Sequence, residues 1–568
     1  MAGLIAAIES EVLRRKFEAV TRDAGVVLAN LARSREIKEG RECAVALADR
    51  QGGIVATDDP LQLGLLTAAV DVALARFKFD MRSGDVVLLT DPYLGGARLH
   101  DFTLVIPHAV DEVVQTFVCV RARMPDIGGD APGSHVPAAR EIWAEGVPIS
   151  PLKIHRHGRP VRDVLTSVLL NSRCDAEVRE NLSAMLAAAD LAARRLDELV
   201  GAHGADGVGE AMAYAQGYGE RQARSRIARW ADGTYASERQ IWHAGAPVTV
   251  RASVSVEEGR VSVDLSGSDP QQASFLNSTM SASVNAAATA LLALLGPDVP
   301  PNGGVLRCLD VRCDEGRLAN PRWPAAVNGG AVHLAGEIAE VTAAALREAA
   351  GDDYGAVSAP RWLLTAHRPA VDAAPIDIAA WAIAGCAGAH GRDGWGAPHV
   401  LSRARRPSAE EWEVSTGMVV RAAELVSDSA GAGRWRGSPA LELVVDVPDE
   451  RAWTVSSATS SDDANGVAGG AGAAGADLRV SGGGEPEIGT VELSRRIGPC
   501  RVVARFGGGC GHGDPFLRAP ADVLEDVQDG LLTAAAARRD YGVVVDAGER
   551  EVDDLGTREH RLERGAPA

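Results

Sequence analysis

Lysine is scarce in this sequence, and its scarcity excludes a common type of nucleotide-binding loop. The 568 residues contain four lysines, none of which follows a glycine: Lys16, Lys38, Lys78 and Lys153. A GxxxxGK[ST] loop needs a lysine directly after glycine to reach the terminal phosphates of a nucleotide. If the chemistry of this protein consumes ATP, we therefore expect another chain to supply the nucleotide site.

Basic charge and paired cysteines are also lacking. The chain has 58 Lys and Arg against 77 Asp and Glu, a formal net charge of -19, and we find no concentrated basic patch. Nucleic acids and anionic membranes require such a patch, so neither is expected as a partner. The eight cysteines include no CxxC pair, which argues against a zinc ribbon and a disulfide scaffold. Cys500 and Cys510 could meet, but buried free thiols are the favoured interpretation.

No apolar run is long enough for a membrane helix. The longest, residues 285–295, falls short of the roughly 20 residues that cross a bilayer core of about 30 Å. The N-terminal residues 1–13 include Glu9 and Glu11 and lack the charged-then-apolar order of a secretory signal. We expect a cytoplasmic protein.

The length predicts three or four domain-sized units, and the composition is that of a globular protein. Hydrophobic residues make up 46% and charged residues 24%, as in ordinary folded domains. Near residue 240 helical spacing gives way to strict alternation, which places one boundary there. We divide the chain into an N-terminal unit (1–240), a central unit (241–445) and a glycine-rich C-terminal unit (446–568).

Periodicity predicts helices and strands in mixed order. Helices are predicted at 7–33, 65–77, 177–199, 283–295 and 337–350. Strands are predicted at 43–48, 53–56, 86–89, 248–254 and 261–265. Gly201 is expected to end the third helix. The glycine-rich stretch 464–476 is expected to form a mobile or ligand-ordered loop.

Three glycine-rich clusters are prominent, at 90–103 (TDPYLGGARLHDFT), 125–134 (PDIGGDAPGS) and 505–515 (RFGGGCGHGDP). Glycine pairs beside Asp and Pro usually mark tight turns that need a positive φ. For any single cluster, a turn is as good an explanation as a binding site.

The order of these clusters along the chain resembles that of the hydantoinase B family, which includes the large subunits of 5-oxoprolinase-type enzymes and of acetone and acetophenone carboxylases. The matching segments are 91–96 (DPYLGG) with Leu99 and Asp101, 126–129 (DIGG), 132–134 (PGS), 145–147 (EGV), 264–271 (DLSGSDPQ), 320–321 (NP), 324–327 (PAAV), 329–330 (GG), 428–433 (DSAGAG) with Arg436 and Gly437, 507–509 (GGG), 513–515 (GDP) and 541–544 (YGVV). The resemblance covers nearly the whole chain in colinear order. It implies a large multidomain α+β fold of the hydantoinase B type, with mixed sheets and packed helices.

The resemblance also implies a partner. Family members work with an ATP-binding hydantoinase A-type subunit that phosphorylates a carbonyl or lactam oxygen, and the B-type subunit then hydrolyses or carboxylates the activated species. This division of labour agrees with the missing phosphate loop. It implies a hetero-oligomer in which the partner handles ATP and Mg²⁺ and this chain binds no cofactor of its own. The implied substrate is a ketone, hydantoin or lactam, with bicarbonate added if the reaction is a carboxylation.

Many relatives bind a metal ion at a site that is altered in this sequence. The positions of the relatives' Asp, His, Asp and His ligands hold Glu42, Arg98, Asp101 and Arg123. A guanidinium group stays cationic and offers no lone pair, so no metal is expected at this site. His100 stands where the family usually has Pro. In an extended segment it would diverge from Asp101, and in a turn the two could converge; a surface or hydrogen-bonded histidine is favoured over a replacement ligand.

Two interpretations of Arg98 and Arg123 are open. In the first, both form ion pairs with Glu42 and Asp101 that occupy the place of the metal. In the second, they bind an anion such as an enol phosphate, a carboxyphosphate or a product carboxylate, as planar bidentate donors do. They would then be catalytic residues oriented by the two acids, and Asp101 or Asp126 would position water in a hydrolase. The residues expected to bind substrate are Tyr93, Gly95, Gly96, His100, Gly128 and Gly129.

The loss of a metal-activated water weakens a hydrolase hypothesis more than a carboxylase hypothesis. An enolate that attacks carbon dioxide needs charge stabilisation but no hydroxide. The favoured function is therefore an ATP-dependent carboxylase subunit of the acetophenone type, active only with its hydantoinase A-type partner. The second is a subunit of an ATP-dependent hydantoin, 5-oxoproline or lactam hydrolase. The non-enzymatic alternative is a metal-free structural subunit that scaffolds an active paralogue.

Overall fold

The computed structural model of the chain describes residues 2–77, 80–243, 246–351, 362–367, 379–383, 385–396, 401, 408–457, 466–482, 493–546 and 548–563. Within these residues, helices and strands are interspersed along the chain and form four main sheets. The predicted α+β class is confirmed.

The N-terminal part is built on a seven-stranded sheet. Its elements are α1 (Ala2–Leu31), α2 (Arg35–Lys38), β1 (Cys43–Asp49), β2 (Ile54–Thr57), α3 (Leu63–Phe77), β3 (Val86–Leu89), β4 (Asp101–Val110), β5 (Val113–Arg123), α4 (Ile142–Glu145), β6 (Leu152–Arg156), β7 (Arg159–Pro160), α5 (Arg162–Leu169) and α6 (Asp175–Ile227), with 3₁₀ turns at Pro60–Gln62 and Pro132–Ser134. The strand order is β2-β1-β5-β4-β3-β6-β7. The strands predicted at 43–48, 53–56 and 86–89 and the helix predicted at 65–77 are confirmed.

Both faces of this sheet are covered, which explains why β1 is apolar from Cys43 to Ala48. Val45 and Leu47 point into a core that contains α1 and α6, whereas Ala44 and Ala46 point towards α3 on the opposite face. Successive side chains of a strand alternate between the two faces of a sheet. Odd-numbered and even-numbered residues of β1 therefore lie on opposite faces of the sheet.

Helix α3 is a core helix. The segment Pro60–Phe77 is long and apolar enough, by length and composition alone, to cross a membrane, which corrects the expectation that residues 285–295 are the longest apolar run. In the fold, however, Leu63, Leu66 and Val70 are buried in the core between α3 and the sheet. A helix packed on a sheet meets the same length and hydropathy criteria as a membrane span.

Helix α6 consists of two helical segments joined at a kink, and the first segment ends three residues beyond the end predicted at Gly201. The helix covers Asp175–Ile227, and Gly204, with φ 74° and ψ 158°, is a kink inside it. Val208 and Met212, beyond the kink, are buried in the same core as α1. Gly204 supplies the positive φ that the kink requires, and a second helical segment continues beyond it to Ile227.

The central part has one four-stranded sheet and one main core. Its elements are β8 (Gly233–His243), β9 (Ala246–Glu257), β10 (Arg260–Asp264), α7 (Met280–Leu295), α8 (Gly303–Leu306), β11 (Leu309–Arg312) and α9 (Ala335–Ala350), with a π-helical turn at Gly330–Leu334. The strand order is β11-β10-β9-β8, and the core includes the buried faces of α7 and α9. The strands predicted at 248–254 and 261–265 and the helices predicted at 283–295 and 337–350 are confirmed.

The C-terminal part contains two more four-stranded sheets, with orders β13-β12-β16-β18 and β14-β15-β19-β17. Its elements are β12 (Trp362–His367), β13 (Ala379–Ile383), α10 (Ala409–Thr416), β14 (Val419–Val426), β15 (Ala440–Val447), β16 (Arg451–Ser457), β17 (Asp477–Ser481), β18 (Leu493–Ile497), β19 (Cys500–Arg505), α11 (Pro520–Gln528), α12 (Ala534–Tyr541) and α13 (Asp554–Glu563), with a 3₁₀ turn at Pro515–Leu517.

The stretch 464–476, expected to form a mobile or ligand-ordered loop, is an irregular segment that packs against another backbone; residues 464 and 465 lie outside the described residues. The Val467 amide donates to the Gly511 carbonyl at 3.1 Å, and the Gly511 amide donates to the Ala471 carbonyl at 3.0 Å. A Cβ added at Gly470 would lie 2.2 Å from the Gly511 carbonyl oxygen. Side chains are absent here because two backbones meet directly.

The three-unit division of the chain remains a prediction. Its boundaries after residues 240 and 445 fall inside β8 and β15 rather than in loops. All eight cysteines are free thiols, which confirms the interpretation favoured for Cys500 and Cys510.

Candidate functional site

Strand parity and register bring four charged side chains to one end of the N-terminal sheet. Asp101 lies opposite Arg123 in the pairing of β4 with β5, and Arg121 shares the face of Arg123 because the two are two residues apart. The Arg123 amide donates to the carbonyl of Glu42, just before β1, at 3.0 Å. Because side chains alternate between the two faces along each strand, all four of these side chains lie on the face that α3 covers.

A turn before β4 adds Arg98 to this group. Residues 97–100 form bends and a turn, and the Asp101 amide donates to the Arg98 carbonyl at 3.3 Å. Of the two geometries that the sequence left open, the turn is the one present. It lets the side chains of Arg98 and Asp101 converge.

The five side chains form a connected set of ion pairs. Arg98 donates from Nε to Oδ2 of Asp101 at 2.9 Å and from Nη2 to Oε2 of Glu42 at 3.0 Å. Arg123 donates from Nη1 to Oε1 of Glu42 at 2.7 Å, and Arg121 from Nη2 to Oδ2 of Asp101 at 2.9 Å. We call Glu42, Arg98, Asp101, Arg121 and Arg123 the arginine cluster. The ion pairs of the first interpretation are formed, with Arg121 as an additional member.

The arginine cluster is buried and carries a net charge. Its side chains are between 4% and 17% exposed. Burial acts to raise the pKa of Glu42, but the Arg123 and Arg98 cations outweigh it and lower that pKa. Burial also acts to raise the pKa of Asp101, and Arg98 and Arg121 hold it well below its usual range. Both acids are therefore ionised at neutral pH, and three cations against two anions leave one positive charge.

His100 is enclosed beside this cluster. It is 3% exposed, and neither ring nitrogen has a hydrogen-bond partner within the described part of the chain. Burial, and then the charges of Arg98 and Arg123, lower its pKa well below the ordinary 6.5. The ring is neutral. The expectation of a surface or hydrogen-bonded histidine is wrong, because the turn directs the residue inwards.

His135 connects the arginine cluster to the central part of the fold. Burial, followed by the charges of Arg123 and Arg98, lowers its pKa to about 3. Its ring meets the edge of Phe275 at a centroid distance of 5.4 Å. A central-unit aromatic side chain therefore lies near the cluster.

The carboxylate of Asp126 is occupied by hydrogen bonds that stabilise its own loop. It is fully buried, and its oxygens accept bonds from the Gly128 amide at 2.9 Å, the Gly133 amide at 3.0 Å and the Arg173 amide at 2.8 Å. The Arg173 guanidinium adds an ion pair at 3.1 Å. This occupancy fits a structural role better than the positioning of a reacting water.

The glycines expected to bind substrate form tight turns. Gly95, Gly128 and Gly129 have φ values of 86°, 84° and 81°. A Cβ at Gly95 would lie 2.8 Å from the Ala68 carbonyl oxygen, and one at Gly129 would lie 2.6 Å from that of Ala144. Positive φ and close backbone approach account for these glycines, and contact with a substrate stays a prediction.

Tyr93 and Gly96 hold the N-terminal and central parts together. The Tyr93 hydroxyl donates to the Ala325 carbonyl at 2.8 Å, and the Gly96 carbonyl accepts a bond from the Thr279 hydroxyl at 2.8 Å. Both expected substrate contacts thus lie at a junction between cores.

The donor set does not fit the metal ion that the family resemblance implies at these positions. The Arg98 guanidinium bridges Glu42 and Asp101, and a guanidinium has no lone pair to offer a cation. Within the described ranges, no three His, Cys, Asp or Glu side chains are placed to hold a metal ion. The exclusion of a metal from the purified protein remains a prediction.

The sequence did not single out Arg121, His135 or Glu145 as site residues. Arg121 follows from the alternation Arg121-Ala122-Arg123, but only once β5 is known to be a strand. Glu145 accepts bonds from the amides of Val327 at 2.9 Å and Asn328 at 2.7 Å. Its burial raises its pKa to about 8. No local sequence pattern indicates that Glu145 contacts the amides of Val327 and Asn328.

Known proteins resemble this chain over almost its full length. The family described as hydantoinase B/oxoprolinase matches residues 6–515. Caprolactamase subunit beta of Pseudomonas jessenii is 28% identical over 97% of this chain and 98% of its own.

Two solved structures share the fold. The crystal structure of ATP-dependent caprolactamase from Pseudomonas jessenii has a TM-score of 0.88 at 26% identity and covers 98% of this chain and 99% of its own. The nucleotide-free structure of acetone carboxylase has a TM-score of 0.83 and covers 98% of this chain and 83% of its own; at 18% identity it shows the fold alone. The fold implied by the sequence motifs is thereby confirmed.

Proposed function

Because the chain belongs to the hydantoinase B/oxoprolinase family, we propose that it is the B-type subunit of an ATP-dependent complex that carboxylates a ketone activated by phosphorylation. The ATP and Mg²⁺ belong to a hydantoinase A-type partner in the cytoplasm, and this chain carries out the second half of the reaction. Such a hetero-oligomer is consistent with a relative described as a beta subunit.

One observation supports carboxylation over hydrolysis. The place between Glu42 and Asp101 is occupied by the Arg98 guanidinium, with Arg123 and Arg121 beside it. Fixed cations stabilise an enolate as charge develops on oxygen. Carbon–carbon bond formation with carbon dioxide needs that stabilisation, whereas it needs no metal-bound hydroxide. Glu42 and Asp101 orient the guanidinium groups and are not consumed.

Lactam hydrolysis is a second candidate because caprolactamase subunit beta is similar over the full length. A hydrolase would need a positioned water. Asp101 accepts both of its arginine bonds at Oδ2, which leaves Oδ1 for that water, whereas Asp126 is engaged at both oxygens.

Co-purification with the neighbouring A-type subunit allows the functions to be separated. We expect ATP consumption that depends on both a ketone and bicarbonate. ATP-coupled ring opening of a lactam without bicarbonate would favour the second candidate instead.

The role of the arginines is tested in the same complex. Arg98→Ala or Arg123→Ala should abolish turnover while the complex still assembles, because the anion loses its cationic partners. Arg251→Ala, which removes an exposed arginine paired with Glu238, is the matched control and should retain activity. Full activity in both cluster variants would contradict the proposal and favour a scaffolding subunit.

A further inference from the structure

We infer that the arginine cluster is a binding site for a monoanionic carboxylate, either bicarbonate or the carboxylate group of an organic acid. This inference deepens the proposed function, since carboxylation and lactam hydrolysis both produce a carboxylate. The inference depends on the proposed function only for the question of which reaction supplies or consumes the carboxylate.

The charge of the cluster determines the class of anion. Arg98, Arg121 and Arg123 oppose only Glu42 and Asp101, so one buried positive charge lacks a counterion within the cluster. An uncompensated buried charge is unfavourable. A ligand with one negative charge neutralises the cluster, whereas a phosphate dianion would leave it negative.

Unused donors are available at Arg98 and Arg123. A guanidinium has five N–H donors in a planar fork. Arg98 donates to its acids from Nε and Nη2, and Arg123 donates to Glu42 from Nη1 alone. The Nε atom of Arg123 is buried and has no partner among the described residues. A planar carboxylate matches such a fork in bidentate geometry.

His100 provides a second, independent indication of a ligand. Both of its buried ring nitrogens lack partners in the described chain, which is costly for a polar group away from water. A neutral imidazole carries one N–H donor and adds no charge. A carboxylate oxygen held between Arg123 and His100 would give each of them an acceptor.

The test uses the isolated full-length chain and needs no turnover. Its thermal unfolding midpoint is measured with sodium bicarbonate, acetate, phosphate or chloride at constant ionic strength and at one mildly alkaline pH, where inorganic phosphate is mainly the dianion and bicarbonate is the monoanion. A ligand that binds only the native state raises that midpoint. We expect a saturable rise with bicarbonate or acetate and none with phosphate or chloride. The stronger of the two carboxylates identifies the source.

Variants link the effect to the cluster. Arg123→Gln should abolish the rise and Arg123→Lys should weaken it, because lysine keeps the charge and loses the planar fork. Arg251→Gln, on the surface, should keep the rise. Glu42→Gln increases the net charge by one, so phosphate should then raise the midpoint as well.

Three results would overturn the inference: no saturable rise with either carboxylate, a rise with phosphate alone in the natural chain, or an unchanged rise in both Arg123 variants. A carboxylate-dependent rise in a chain whose complex shows no ATP-dependent turnover would contradict only the proposed function. An active complex whose isolated chain shows no rise would contradict only this inference.

Discussion

Arg121 provides the third positive charge of the arginine cluster. Its Nη2 donates to Oδ2 of Asp101, the same oxygen that accepts the bond from Arg98 Nε. A histidine in the place of Arg98 would be neutral and could ligate a metal, whereas arginine is always charged and can only donate. The exchange therefore converts a cation-holding position into an anion-holding one. Glu42 and Asp101 stay ionised and pair with guanidinium groups, where the resemblance implies a metal ion in relatives.

Glu145 is another buried acid, and its pKa shift is opposite to that of Glu42 and Asp101. Its burial raises its pKa from the ordinary 4.5 to about 8, and the Val327 and Asn328 amides only partly offset that rise. The folded protein thus binds a proton that the unfolded chain releases at lower pH. Stability from this group is fully present below about pH 4.5 and is lost as the pH rises through about 8.

We predict a pH-dependent effect of Glu145→Gln on the free energy of unfolding. At pH 5 the variant should be about 1–3 kcal/mol less stable, because an amide cannot accept both backbone bonds. The difference should narrow as the pH rises towards 9, where the natural carboxyl ionises. Urea unfolding at several pH values measures it, and a gap that is the same at every pH would contradict the assignment.

The glycine-rich segments of the C-terminal part are predicted to be intolerant of side chains. A Cβ at Gly509 would lie 1.8 Å from the Cys386 carbonyl oxygen, whereas one at Gly201 in α6 meets nothing within 4 Å. Gly509→Ala should therefore destabilise by about 2–3 kcal/mol or more. Gly201→Ala, the matched control, should stabilise by up to about 1 kcal/mol. Denaturant unfolding of both variants checks the pair, and equal stabilities would argue against backbone packing at Gly509.

Elements with a strong local pattern were predictable, and elements fixed by distant contacts were not. The alternation of apolar residues in β9 and their helical spacing in α3 can be recognised from residues close together in the sequence. The continuation of α6 past Gly201 depends on a core shared with α1, and the packing of 466–476 depends on a backbone far away in sequence. Neither long-range contact can be recognised from the sequence alone, so neither feature could be predicted.

The same limit applies to the site. Glu42, Arg98, Asp101 and Arg123 were predicted because the motif resemblance aligned them, and the fold brings them together. Arg121 was missed because its role follows from the register of β4 with β5.

Across the whole molecule, the N-terminal and central cores meet at specific polar contacts beside the cluster. The Asn285 side chain in α7 accepts from the Gly64 amide of α3 at 2.9 Å and donates to the Leu61 carbonyl at 2.8 Å. Together with the Tyr93 and Glu145 contacts, these bonds join the two cores.

Metal analysis of the active complex tests most directly whether guanidinium groups have replaced the metal. The measurement compares the natural chain with a variant carrying Arg98→His and Arg123→His, which restores imidazoles beside Glu42 and Asp101. We predict no stoichiometric zinc, manganese or iron in the natural chain and about one divalent ion per chain in the double variant, as expected of two histidines and two acids. A stoichiometric metal ion between Glu42 and Asp101 in the natural, active protein would contradict the account.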